Sequence, residues 1–156
     1  MVRLGEWCVA LAGGGLIGLA AATWSGPMLP AGSAGAVAEA PRTVHFGLCH
    51  SGGGTNCVVD GDTFWMDGEK IRISDIDTPE THPARCAEEQ RLGDAATLRL
   101  QALLNAGPVS LVMGARDTDR YGRKLRVVMR GGVSLGDTLV GEGLARRWIG
   151  HREPWC

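Results

Sequence analysis

The sequence predicts a small α+β domain behind an export leader. Three observations carry that expectation. Residues 43–74 hold four short runs of β-forming residues separated by turn formers. Residues 84–105 place Leu92, Ala96, Leu100, Leu103 and Leu104 at helical spacing. Two further strand candidates and a second helical run follow. Strands, a helix, two strands and a closing helix make an α+β layout, and a length of 156 residues suits one folded domain.

Residues 1–40 stand apart. Met1 to Glu6 is weakly positive once the amino terminus is counted, and Cys8 to Ala22 is an uncharged run of mostly Ala, Gly and Leu. Ser25 to Ala40 is rich in Pro, Gly, Ser and Ala. This is the make-up of an export signal, with small-residue cleavage candidates at Ala36-Val37-Ala38 and near Ala20-Ala21-Ala22. Retention as a membrane anchor over residues 7–24 is the alternative, with Trp7 and Trp24 at its edges, although the run is short and Gly-rich for a span. The expected location is periplasmic or extracellular. The folded domain is expected over 41–156.

Within the domain, Thr43 to Phe46 reads as a first strand, Asn56 to Asp60 as a second, and Thr63 to Met66 as a third. Asp67-Gly68 is a hairpin signal. Lys70 to Ser74 is the returning strand, with Ile71 and Ile73 on one face. A helix over 84–105 has Glu88 and Glu89 near its start, where its dipole favours acids, and Gly107-Pro108 at its end. Val109 to Met113 and Lys124 to Met129 are strands joined by a charged loop, Ala115 to Arg123. Ser134 to Glu142 is a second helix stopped by Gly143.

A net charge of −1 gives no overall basic signal for nucleic acid. The distribution is uneven. Residues 41–115 carry 6 basic and 10 acidic residues, whereas 116–156 carry 9 basic and 5 acidic. Arg dominates the basic half, which suits bidentate contact with phosphate or carboxylate. By itself this pattern is also that of a solvated mixed-charge surface.

Cys8 lies in the leader, leaving Cys49, Cys57, Cys86 and Cys156. Four Cys in a small exported domain point to two disulfides with three pairings open. The Gly-rich loop between Cys49 and Cys57 favours that pair, and elimination then joins Cys86 to Cys156, tying down a chain end. Zinc is the weaker alternative, because no Cys pair has the short spacing and His45, His50, His82 and His151 are scattered and expected at the surface.

The most informative stretch is Asp60-Gly61-Asp62-Thr63, then Arg72, then Asp77-Thr78-Pro79-Glu80. Asp60 and Asp62, two apart, would share a face of an extended chain, with Gly61 allowing a bend. A returning hairpin would bring Asp77 toward Asp62. Thr78 precedes proline and is pushed extended, which aims its carbonyl as a further oxygen donor. Carboxylates and a carbonyl without a thiolate form a hard-oxygen set for calcium or magnesium. Taken singly, Asp-Gly-Asp is a turn and Asp-Thr-Pro-Glu a helix start. An EF-hand is excluded, since Phe64 and Trp65 stand where a ligand and Gly are required.

In combination these motifs resemble the staphylococcal (thermonuclease-type) nuclease family. The resemblance rests on Val58 to Phe64, Lys70 to Ile73, Asp75 to Glu80, Asp119 to Arg123 and Leu139 to Ala145, in the family's order. It implies a five-stranded OB-type barrel with two to three packed helices. It also implies metal-dependent hydrolysis of DNA and RNA with low sequence preference, leaving 3′-phosphates, with calcium expected ahead of magnesium. By matching position, Asp62 and Asp77 would bind the metal through carboxylates and Thr78 through its carbonyl, with Asp60 in support. Glu80 would orient or deprotonate the attacking water. Arg72 and Arg123 would hold the phosphate, and Arg120 and Tyr121 would lie near the nucleotide. The implied partner is a DNA or RNA strand, and a monomer is expected.

There are departures. Arg147-Trp148-Ile149-Gly150-His151 stands where the type member has tyrosines, so Trp148 either stacks on a base or serves as a core or edge aromatic. A long helix after the second one is missing, and a Cys-bracketed Gly loop precedes Asp60. The rival readings are a non-catalytic OB module that binds nucleic acid or protein, and a calcium-binding structural domain. The first does not need Glu80 beside Asp77, and the second does not explain Arg72 and Arg123.

Overall fold

The computed structural model describes residues 38–50 and 53–156. The leader up to Val37, with Cys8 and the cleavage candidates, lies outside the described residues, as do Ser51 and Gly52. In chain order the strands are β1 (Gly47–Leu48), β2 (Cys57–Asp60), β3 (Thr63–Met66), β4 (Glu69–Ile73) and β5 (Ile76–Asp77). Helix α1 (Ala87–Asn105) precedes β6 (Ser110–Thr118), β7 (Lys124–Arg130) and β8 (Val133–Ser134). Helix α2 (Leu135–Gly141) and β9 (Arg146–Arg147) complete the set. The expected α+β architecture is present, with two helices among the described residues. The five strands of four or more residues, β2, β3, β4, β6 and β7, form the body of the seven-stranded sheet. Its order is β1-β2-β3-β4-β7-β6, with β8 against β7, while β5 and β9 pair separately.

Local chemistry accounts for most elements. The β3–β4 turn uses Asp67 and Gly68, both at positive φ, as the twist of a two-residue hairpin requires. Cys86 caps α1 by accepting from Glu89 N, and the Glu89 carboxylate reaches back to Arg85 N at 2.6 Å. That reciprocal pair starts the helix at Ala87, three residues later than the periodicity predicts. Ser134 caps α2 through Gly136 N at 3.0 Å.

Three expectations are corrected. Thr43 to Phe46 is not a strand. Its Phe46 backbone is satisfied by side chains of α1, with Phe46 N bonding Asn105 Oδ1 at 2.8 Å and Phe46 O accepting from Gln101 and Asn105. The strand predicted to end at Met113 runs on to Thr118, because Thr118 pairs with Lys124 beyond a bulge. The first four residues of the predicted loop over 115–123 are therefore strand. Leu92 is only half-buried, and Gly93 takes the inward position instead.

The core lies between α1, α2 and the inner face of the sheet. Phe46, Phe64, Ile71, Ile73, Ile76, Leu100, Leu104 and Leu139 are essentially inaccessible. Phe46 and Phe64 meet edge to face at 5.7 Å. All four histidines are exposed. Cys49 is joined to Cys57, and Cys86 to Cys156.

Candidate active site

The site begins at the turn between β2 and β3. Asp60 stands opposite Thr63, so Gly61-Asp62 is a two-residue reversal. Asp60 and Asp62 therefore do not share the face of one extended strand. The turn itself draws them together, and Asp62 N donates to Asp60 Oδ1 at 3.1 Å. No side chain fits at Gly61, where a Cβ would stand 2.6 Å from that of Ala96 and 3.0 Å from Thr78. Packing of α1 and Thr78 thus locks the turn.

Asp62 is buried and fully engaged. Thr63 Oγ1 donates to one carboxylate oxygen at 2.9 Å and Thr78 N to the other at 3.2 Å. Arg72, on β4 opposite Thr63, forms an ion pair with it. The same guanidinium reaches Asp77 Oδ1 and Ile76 O on β5, each at 3.4 Å. Burial would raise the Asp62 carboxyl, but the Arg72 charge, aided by Thr63, holds it below the usual carboxylate range. Asp60 goes the other way. Burial first, and then the Asp62 charge, push it up to about 7. Asp77 is also raised by burial, with Arg152 opposing and Asp62 adding to the shift.

Glu80 follows β5 on a segment pressed against α1. The fit depends on Gly93, whose Cβ would stand 2.9 Å from Pro79 O and 3.0 Å from Glu80 O. The Glu80 carboxylate is ion-paired with Arg152, which also reaches Asp77 Oδ1 at 3.2 Å.

The basic side comes from the turn between β6 and β7. Asp119 accepts from Arg123 N at 3.0 Å and from Arg123 Nε at 2.7 Å. Burial opposes ionisation of Asp119, and the Arg123 hydrogen bonds outweigh it, lowering the carboxyl. Tyr121 is exposed, with Arg120 and Arg123 over its ring at 4.7 and 5.4 Å. Arg72, Glu80, Arg120, Tyr121 and Arg123 line one cavity of about 780 Å³. Trp148 joins this lining, half exposed, with the Arg72 guanidinium 5.9 Å from its ring. It is an edge aromatic, outside the core.

The structure therefore brings Asp60, Asp62, Arg72, Asp77 and Thr78 into one polar cluster, and opens Glu80, Arg120, Tyr121 and Arg123 onto the neighbouring cavity. Two further lining residues, Arg116 and Arg152, escape the sequence reading except as members of a basic half. Their signal is only an excess of Arg late in the chain. Among the described residues no three His, Cys, Asp or Glu side chains form a closed metal cage. The Arg72 guanidinium stands between the Asp62 and Asp77 carboxylates, and Thr78 N donates to Asp62. These carboxylates, with Asp60 crowded against Asp62, suit a hard divalent cation that keeps part of its water shell.

Endonuclease YncB of Bacillus subtilis (strain 168) is 40% identical over 94 residues, covering 56% of this chain and 44% of that protein. The SPbeta prophage-derived endonuclease YokF of the same organism is also 40% identical over 94 residues, covering 56% of this chain and 31% of that protein. The chain thus matches less than half the length of either relative. The pattern of the staphylococcal nuclease homologue family matches residues 70–154, more than half of the chain and a stretch that contains Arg72, Asp77, Glu80 and Arg123. On that match, the chain belongs to the staphylococcal nuclease homologue family.

Proposed function

We infer that this protein is a nuclease that hydrolyses phosphodiester bonds in DNA or RNA strands with the help of a divalent cation, calcium ahead of magnesium. One observation carries the reading: Glu80 and the Arg72 and Arg123 guanidiniums line a single cavity beside the buried Asp62–Asp77 pair. Two relatives named as endonucleases support it.

Each residue has work that its chemistry allows. Asp62, Asp77 and the Thr78 carbonyl would hold the cation, with Asp60 in support through its bond to the Asp62 amide. When bound, the cation supplies Lewis acidity and a template for water and phosphate. Glu80 orients a water molecule and accepts its proton as attack begins. Arg72 and Arg123 donate charge-assisted hydrogen bonds to the phosphate oxygens as negative charge grows there. Asp119 holds Arg123 in place. Arg120 steers the strand and Tyr121 offers a stacking face. Residues 41–156 form the catalytic domain on this reading, and residues 1–40 are a leader that directs the protein out of the cytoplasm. The two disulfides support that location, because such bonds persist in oxidising compartments.

Cleavage of single- and double-stranded DNA and of RNA by the full chain tests the reading, with calcium, magnesium or chelator and with Glu80→Gln beside it. Metal-dependent cutting, lowered on the order of 10²-fold or more in Glu80→Gln, is the expected outcome. Strand binding without cutting under every metal would hand the site to the non-catalytic binding reading.

A further inference from the structure

Beyond the backbone bond from Trp148 N to Asp75 O, the end of the chain is fixed at Cys156 and beside Arg146. Cys156 is bonded to Cys86, the residue that caps α1. Trp155 lies under the Arg146 guanidinium at 3.9 Å, and Arg146 Nη1 donates to Pro154 O at 3.0 Å. Arg146 belongs to β9, and its register partner is Asp77. A strap from Gly150 to Cys156 is thus anchored to both the cap of α1 and the strand beside Asp77. Arg152, within the strap, is the side chain that reaches Asp77 and Glu80 and lines the cavity with Arg72 and Arg123.

We propose that Arg152 is a third phosphate-binding guanidinium of the site, and that the Cys86–Cys156 disulfide is the tether that keeps it there. The proposal rests on the function inferred above and extends it. The geometry supports two parts of it. A phosphate seated in the cavity faces Arg72 and Arg123 from strands and turn, and Arg152 from the strap. Without a strand, the same guanidinium pairs with Glu80 and shares Asp77 with Arg72. The strap has little else to fix its course: His151, Arg152, Glu153 and Pro154 are exposed, and no strand or helix includes them. Breaking the disulfide frees the end of the strap and leaves the Arg146 contacts and the ion pairs of Arg152 itself, whereas Arg72 stands on β4 and Arg123 beside the β6–β7 turn, so the position of Arg152 depends on the tether more than theirs does.

The test uses the full chain, oxidised, in chelator, and a labelled single-stranded thymidine oligonucleotide. Its dissociation constant is measured against salt concentration for wild type, Arg152→Ala, Arg152→Lys, Cys156→Ser and the Arg152→Ala/Cys156→Ser double variant. All are held below their own melting temperatures. Arg152→Ala is expected to weaken binding on the order of tenfold and to reduce the salt slope by about 0.7. Arg152→Lys should keep the slope and recover part of the affinity. Cys156→Ser should reproduce the loss, and the double variant should lose nothing more. Unchanged or tighter binding by Arg152→Ala would overturn the proposal and make Arg152 a plug on the carboxylates. Additive losses in the double variant would overturn the tether. If wild type cuts no strand with any metal, the inferred activity fails, while the binding comparison still decides the role of Arg152.

Discussion

The two sides of the site are built differently. The acidic side, with Asp62, Arg72, Asp77 and Thr78, is buried and carried on strands and a locked turn. Ion pairs through Arg72 join Asp62 to Asp77, and Ala96 and Gly93 of α1 set the spacing from behind. The basic side, with Arg120, Tyr121 and Arg123, sits on a surface turn and is held mainly by the local Asp119 contacts. The contrast teaches where stability and function are separable. A buried ion pair broken from one end leaves a stranded charge, whereas an exposed side chain leaves little behind.

The sharpest break is Asp62→Ala. It takes the main partner from the buried Arg72 guanidinium and leaves only the 3.4 Å contacts to Asp77 and Ile76 O, and unfolding free energy should fall by about 3–5 kcal/mol, measured by urea melts. A loss below 1 kcal/mol would mean that Arg72 finds water or Asp77 as a substitute, and the two sides would not differ as described. Next comes Gly93→Ala. Its methyl would press on the carbonyls of Pro79 and Glu80, at a cost of about 1–3 kcal/mol. It should lower kcat more than it changes KM, since Glu80 shifts while the arginines stay.

The pH dependence of stability separates the two sides by sign. Asp60, raised to about 7 in the folded protein, is ionised first in the unfolded chain. Its effect is full stability in acid that declines as pH rises from roughly 4 to 7. Asp119 is lowered, so its contribution is present above the ordinary carboxylate value of about 4 and is lost as pH falls. In chelator, Asp60→Asn should flatten the decline toward neutrality, and Asp119→Asn should flatten the acid loss. Melts from pH 3 to 8 would show both, and a common sign for the two would undo the comparison. The smallest change in stability belongs to Tyr121→Ala, within about 0.5 kcal/mol because the ring is exposed. Oligonucleotide binding should nonetheless weaken by about 1–3 kcal/mol if a base stacks there. Unchanged affinity would leave Tyr121 as a prop for Arg120 and Arg123.

Residue type and short spacing made much of this legible. The β3–β4 hairpin follows from Asp67-Gly68, the α2 cap from Ser134, and α1 from its apolar stripe, because each depends on atoms a few residues apart. The cluster of Asp60, Asp62, Asp77 and Thr78 is legible as chemistry, and of the two geometries open at Asp60 to Asp62, extended or turned, the structure takes the turn. Periodicity treats Asp60-Gly61-Asp62 as extended, yet the chain turns there because α1 and Thr78 leave room for no side chain at Gly61. The strand Thr118 joins, and the loss of one at Thr43 to Phe46, depend on partners more than fifty residues away or across a bulge.

The α+β layout, the hard-oxygen side chains of the acidic cluster and the family resemblance can all be read from residue order alone. These follow from local propensity and from side chains whose functional groups are known once named. The folded chain is needed to see that Arg72 stands between Asp62 and Asp77, that Gly93 seats the Glu80 segment, and that Arg152 reaches Glu80. Those facts arise from packing and cross-links between segments remote in sequence, and spacing along one chain carries no record of which distant groups share a volume.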